Sequence, residues 1–273
     1  MSQHDSPTHA ATLSEARHPH ASGDLVGLTR PGAGVPVVLL HGAMADAYGW
    51  RDVVDAVAPQ RPALVPNRRG RRPSGDLPED YSVETEVADL LGWLALQDGP
   101  VDLVAHSYGG LIAVEAVRRG AAARSLVLYE PVARPFAGAA LPKLQSALEQ
   151  DDLDAAVEII NVDLSGYSRA HVDTLRSDPV WTKLQTLAVP AGAELAALEE
   201  FDFAPSAYSS LGVPTVLIAG ELSRHRPPYG PSVEQFRDAL QLESVTLLEG
   251  HDHLAHVTGP LDLARAINAS IGN

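Results

Sequence analysis

Val101-Asp102-Leu103-Val104-Ala105-His106-Ser107-Tyr108-Gly109-Gly110 is the stretch that decides the fold. Residues 101–105 form a short apolar run suited to a strand buried on both faces, and a helical pattern over 108–119 begins directly behind it. Only a sharp turn fits between the two, with Ser107 at its apex. Such a turn needs small residues two before and two after the serine, because neighbouring backbone comes close. Gly109 supplies one, and Ala105 replaces the first glycine of a G-x-S-x-G arrangement at the cost of one methyl group. The serine then sits at a helix N-terminus, where main-chain N–H groups and the helix dipole favour developing negative charge.

Outward from this turn the same alternation continues. Apolar runs at 37–40, 63–65, 125–129, 215–219 and 244–248 predict further buried strands. Helical spacing over 82–97 and 260–271 fills gaps between them, the first opening at Ser82 and the second at Pro260. The alternation predicts an α/β fold: a mostly parallel, doubly wound sheet with helices on both faces and right-handed crossovers. Between Glu130 and Val213 the rhythm stops, and only helical patches appear, at 153–162, 179–187 and 194–200. Residues 131–210 therefore read as a helical cap inserted above the sheet, with the core supplied by 23–130 and 211–273. Residues 1–22 are polar and aperiodic and read as a disordered tail, whose His4, His9, His18 and His20 are solvated rather than metal-binding.

Composition bounds the function. With 273 residues, 45% of them hydrophobic, the chain can bury a large core. A net charge of −15 argues against nucleic acid as a partner. The absence of cysteine removes thiolate nucleophiles, disulfides and thiolate metal sites. No membrane span and no signal-peptide layout is visible, so a cytoplasmic protein acting on a small molecule is expected.

Two more segments carry chemistry. Val37-Val38-Leu39-Leu40-His41-Gly42-Ala43-Met44 ends a strand in His-Gly, and the loop beyond it can bring the Ala43 N–H towards the serine. With the Tyr108 N–H it would make a two-donor oxyanion hole, while His41 reads as a group that hydrogen-bonds the loop. Leu247-Leu248-Glu249-Gly250-His251-Asp252-His253-Leu254-Ala255-His256 follows the last strand. Its histidine spacings do not reproduce a zinc-protease helix, and a single catalytic imidazole is expected, His253 before His251 or His256.

At these residues the chain from about residue 24 onward resembles an α/β-hydrolase with a helical cap. The resemblance implies a serine hydrolase with Ser107 as nucleophile and His253 as base, needing neither metal nor organic cofactor. Family members usually carry the triad acid in a Gly-x-x-Asp pattern after the strand at 215–219. Here that stretch is Gly220-Glu221-Leu222-Ser223, with serine where the acid is expected. Tyr129-Glu130-Pro131 resembles a subgroup that places the acid one strand earlier, which implies Glu130, with Glu221 or Asp252 as alternatives. The segment Asn67-Arg68-Arg69-Gly70-Arg71-Arg72 resembles the family's Asp-Arg-Arg-Gly loop with Asn67 in the aspartate's place, and reads as a loop anchor rather than an anion clamp. In the cap, Trp181, Tyr167, Phe201 and Phe203 either line a pocket or pack the cap onto the core. The implied reaction is cleavage of a carboxylic ester or lactone through an acyl-serine. Cofactor-free C–C hydrolysis, lyase or cyclase chemistry is one alternative, and a non-catalytic ligand-binding protein the other. Epoxide and haloalkane members of the family carry Asp at the turn.

Overall fold

The computed structural model describes residues 12–20 and 23–272. Its strands are β1 (Ser14–His18), β2 (Leu25–Arg30), β3 (Val37–Leu40), β4 (Ala63–Asn67), β5 (Val101–His106), β6 (Ala123–Tyr129), β7 (Thr215–Gly220) and β8 (Thr246–Leu248). They form one sheet in the order β1-β2-β4-β3-β5-β6-β7-β8, antiparallel at β1 and β2 and parallel from β4 onward. This is the mostly parallel, doubly wound sheet expected from the alternation, in the arrangement that the resemblance to an α/β-hydrolase implies. The strand order reverses at β3 and β5, so the crevice between their carboxyl ends is where such a sheet binds ligands.

Helices α1 (Arg51–Ala56), α2 (Val83–Ala95) and α3 (Tyr108–Arg118) belong to the first half of the core. Between β6 and β7 lie α4 (Leu141–Glu149), α5 (Leu153–Glu158), a π-helical turn (Ile159–Leu164), α6 (Arg169–Arg176) and α7 (Val180–Glu200), with no strand among the described residues. Helices α8 (Tyr229–Ala239), α9 (Ala255–Thr258) and α10 (Pro260–Ser270) complete the chain. Two apolar clusters fill the two faces of the sheet, around Leu111, Ile112 and Phe236 on one side and Trp50, Val53 and Ile267 on the other. A third, around Leu144, Val157 and Trp181, holds the inserted helices together. Among the described residues no helix is long and apolar enough to cross a membrane.

Three local expectations are corrected. Ser14–His18, placed in a disordered tail, is an edge strand paired with β2. Its backbone finds a partner although its side chains bury little, and polar residues are what a sheet edge facing water tolerates. Residues 1–11, 21 and 22 of that tail, with His4 and His9, lie outside the described residues. The strand β2 gives no strand signal in the sequence, because Gly27 and Thr29 interrupt its apolar run. The patches at 179–187 and 194–200 form one 21-residue helix that runs through Pro190. Pro190 packs on Gly70, where a Cβ would come within 2.7 Å of the proline ring, and this contact together with the bonds of Glu194 offsets the lost helix hydrogen bond.

Candidate active site

Ser107 stands between β5 and α3 with φ 55° and ψ −127°, a conformation costing about 1–3 kcal/mol that only the surrounding structure can hold. The close approaches are explicit. A Cβ on Gly109 would lie 2.6 Å from the His41 carbonyl oxygen, and one on Gly42 would lie 2.6 Å from Ser107 Cβ. Gly109 behind the serine and Gly42 opposite it are thus required by the close approach of the chain at the ends of β3 and β5.

Glu130 follows β6 and is fully buried. Its Oε2 lies 2.7 Å from His253 Nδ1, while its Oε1 accepts from the Gly220 N–H at 2.8 Å and from the Ser223 hydroxyl. Ser223, which stands where relatives place the acid, is therefore a donor to the carboxylate supplied by the neighbouring strand. Glu221 is exposed and accepts from Gly250 N, and Asp252 accepts from Tyr167 and Leu254 N, so neither takes the place beside Nδ1. The His253 ring stacks on Tyr229 at 3.8 Å, and its main-chain oxygen accepts from His106 Nε2 at 3.1 Å. His251 pairs instead with Asp262. His256 stacks on Trp50 at 4.7 Å, and burial, then the neighbouring His253, pushes its pKa down to about 3. Burial likewise carries His106 well below the ordinary histidine range.

The Ala43 peptide is oriented from behind. His41 Nε2 accepts from Arg68 N, which leaves its Nδ1–H to donate to the Gly42 carbonyl at 2.9 Å. Burial first, then Arg71 and Arg68, keep this imidazole neutral by lowering its pKa. Arg68 Nη1 donates to the same carbonyl at 3.1 Å. Gly42 C=O and Ala43 N–H share one planar trans peptide, so fixing the oxygen on one side aims the N–H to the other. Tyr108 opens α3, and its N–H is among those a helix start leaves without an intrahelical partner.

The arginine loop is an internal anchor. Arg68 is held by Glu86 and Glu194, Arg71 by Glu194 and the Ala45 carbonyl, and Arg69 by Asp89, while exposed Arg72 meets Asp76. Glu194 belongs to α7, so two buried guanidinium groups tie the helical insertion to the loop that carries Ala43.

Ser107 and His253 both line a cavity of about 320 Å³ beneath the inserted helices. Its walls are mainly apolar, including Met44, Phe136, Ile160, Leu164, Leu184 and Leu195, and exposed Val257 stands at its edge. Of the four cap aromatics, Tyr167 lines the cavity. Trp181 packs within the cap, and Phe201 and Phe203 pack against the core. Asn161, Ser165 and His171 also line it. Sequence periodicity does not single them out: Asn161 sits in a π-helical turn that leaves the 3.6-residue period, and Ser165 and His171 lie beyond it, where a polar residue carries no sign of facing a cavity.

A family model of the alpha/beta hydrolase family matches residues 37–266. The chain belongs to this family. It is similar to a 2-hydroxy-6-oxo-2,4-heptadienoate hydrolase of Pseudomonas putida, 37% identical over 125 residues that cover 42% of this chain and 44% of that one. A cis-3-alkyl-4-alkyloxetan-2-one decarboxylase of Xanthomonas campestris is 32% identical over 118 residues, 39% of either chain. The chain thus spans less than half the length of these curated relatives. Among solved structures, an alpha/beta hydrolase from Sphaerobacter thermophilus superposes with a TM-score of 0.80 at 22% identity, covering 93% of this chain and 99% of that one. At that identity the likeness speaks for the fold.

Proposed function

We propose that this alpha/beta hydrolase is a serine hydrolase that cleaves a neutral carboxylic ester or lactone through an acyl-serine intermediate. One observation carries the reading: the buried Glu130 carboxylate bonds Nδ1 of His253, whose ring lines the same cavity as the strained Ser107. That bond places the ring proton on Nδ1 and leaves Nε2 to accept. His253 takes the Ser107 proton as Oγ adds to the carbonyl carbon, and Glu130 stabilises the imidazolium. The N–H groups of Ala43 and Tyr108 receive the tetrahedral oxyanion, each such donor being worth about 3 kcal/mol. His253 then passes the proton to the leaving oxygen, and in the second half deprotonates the water that releases the acid and frees Ser107.

The cavity walls favour an uncharged substrate. No lysine or arginine is among the described residues that line it, and the buried Arg68 and Arg71 are committed to Glu86 and Glu194. A dienoate, the carboxylate named for the Pseudomonas relative, would enter without a cationic partner, which is costly in an apolar site. An alkylated oxetan-2-one, named for the Xanthomonas relative, is a neutral lactone of the kind such walls suit. Epoxide chemistry through an alkyl-enzyme ester would need a carboxylate where Ser107 stands. Serine at position 223 is no argument for a non-catalytic protein, because its hydroxyl donates to Glu130.

A fluorophosphonate should label wild-type protein at Ser107, and aryl esters of medium-length acids should turn over. Ser107→Ala should abolish both while unfolding at an unchanged temperature. Full activity in that variant would end the nucleophile assignment.

A further inference from the structure

The inserted helices put a small polar cluster into an otherwise apolar cavity. Asn161 lies in the π-helical turn Ile159–Leu164 and His171 in α6, and both line the cavity with Ser165 and Tyr167. The segment is tied together by the Tyr167 N–H, which donates to the Asn161 carbonyl at 2.9 Å, and by the Tyr167 ring, 4.9 Å from that of His171. It adjoins His253 on two sides. Tyr229, stacked on His253, donates to Ser165 Oγ at 3.0 Å, and Tyr167 donates to Asp252 at 3.3 Å.

The hydroxyls of Ser165 and Tyr167 thus each have a partner, Tyr229 and Asp252, but two groups of the cluster do not. His171 Nε2 is shielded from solvent and bonds to nothing among the described residues. The Asn161 amide nitrogen donates back to the Val157 carbonyl at 2.9 Å, which leaves its Oδ1 with no donor among the described residues. A buried ring nitrogen without a partner is costly unless a ligand meets it, and the Asn161 oxygen is free to accept from one. One can donate and the other accept, the two roles that a hydroxyl group complements. No lysine, arginine, aspartate or glutamate is among the described residues that line the cavity beside them, which matches a neutral ligand rather than a phosphate or carboxylate.

We propose that Asn161 and His171 form a specificity subsite for an uncharged hydroxyl group on an otherwise apolar substrate. The natural substrate class is then a hydroxylated ester or lactone. The cavity volume corresponds to roughly ten non-hydrogen atoms at about 30 Å³ each, so the body that carries the hydroxyl is of medium length. This rests on the Ser107 cavity being the substrate site, but not on acyl transfer taking place there.

The test therefore reads binding. Ser107→Ala protein is titrated calorimetrically with nonan-2-one and with isomers carrying one hydroxyl at the sixth to ninth carbon. At least one isomer should bind about tenfold more tightly than the parent ketone, the return expected from two new hydrogen bonds net of hydration. That advantage should fall to about twofold or less when His171→Phe or Asn161→Leu is added, while affinity for the parent ketone holds or rises. Two variants on separate elements guard against one that fails to fold. If no isomer outbinds the parent, or the advantage survives both substitutions, the subsite is wrong. Loss of Ser107 labelling and ester turnover in wild-type protein would instead overturn the hydrolase reading and leave these binding ratios to be judged on their own.

Discussion

Glu130→Gln tests the proposed triad most sharply, because the structure dictates which way the new amide must face. Oε1 receives two donors, and one of them, the Gly220 main-chain N–H at 2.8 Å, can only donate. The amide oxygen must therefore occupy the Oε1 position, which turns the amide nitrogen towards His253 Nδ1, where Oε2 now sits 2.7 Å away. An NH2 group there donates, so Nδ1 becomes the acceptor and the ring proton moves to Nε2, the nitrogen required to take the serine proton. A wrong-tautomer imidazole of this kind costs about 10⁴-fold in kcat, or roughly 5 kcal/mol of transition-state stabilisation. The side chain keeps its volume and its bonds to Gly220 and Ser223, so the unfolding temperature should move by a few degrees at most. The assay is kcat/KM for an aryl ester, with thermal unfolding alongside. Glu221→Gln is the control: its carboxylate is exposed and, among the described residues, holds only the Gly250 N–H in the loop, so turnover should stay within about twofold. Activity within tenfold of wild type in folded Glu130→Gln, or a larger loss from Glu221→Gln, would refute the assignment.

Three further outcomes follow from the same geometry. Glu194→Gln removes the carboxylate that Arg68 and Arg71 share, leaving Arg68 with Glu86 and Arg71 with carbonyl oxygens; it should cost about 3–5 kcal/mol, read as a fall of roughly 6–15 °C in unfolding temperature. Its kcat should drop more than its KM changes, because Arg68 helps fix the Gly42 carbonyl, and an unchanged kcat would detach the ion cluster from the oxyanion loop. His41, His106 and His256 all have folded pKa values below the ordinary 6.5, His256 at about 3, so the unfolded chain binds more protons as pH falls through 6.5. Their contribution is complete above pH 6.5 and is lost on acidification, at up to about 1.4 kcal/mol per pH unit for each histidine, and a flat urea-unfolding stability between pH 7 and 5 would contradict their burial as neutral rings. Gly42→Ala would place a Cβ 2.6 Å from Ser107 Cβ, and displacing the serine by even a fraction of that should cost about a hundredfold in kcat/KM; activity within threefold of wild type would mean the turn is looser than drawn.

What could be read from the sequence and what could not divide along a physical line. The turn at Ser107 is a local matter: a buried strand, a tight backbone and a following helix impose residue types at fixed offsets, so Ala105 and Gly109 are legible beside the serine. The parallel strands are legible for the same reason, since burial on both faces leaves continuous apolar runs such as Val37–Leu40. β1 escaped because an edge strand is held by main-chain bonds to β2, and its exposed side chains carry no period. Glu130 could be nominated only through family resemblance. Its claim over Glu221 turns on register: β6 and β7 pair so that Glu130 reaches Gly220 N, Ser223 and His253 together, over 90 and more residues of chain. The arginine loop announced charge and anchoring but not its partner, since Glu194 lies 126 residues from Arg68 and acts from a helix that crosses a proline. Asn161 and His171 were least legible. Nothing in their spacing marks a cavity wall, because the walls are assembled from an inserted helical segment folded over a sheet it does not belong to. The proposed catalysis draws on backbone geometry, which short sequence offsets record. The proposed selectivity draws on side chains brought together from distant elements, and so it becomes readable only once the inserted helices are in place.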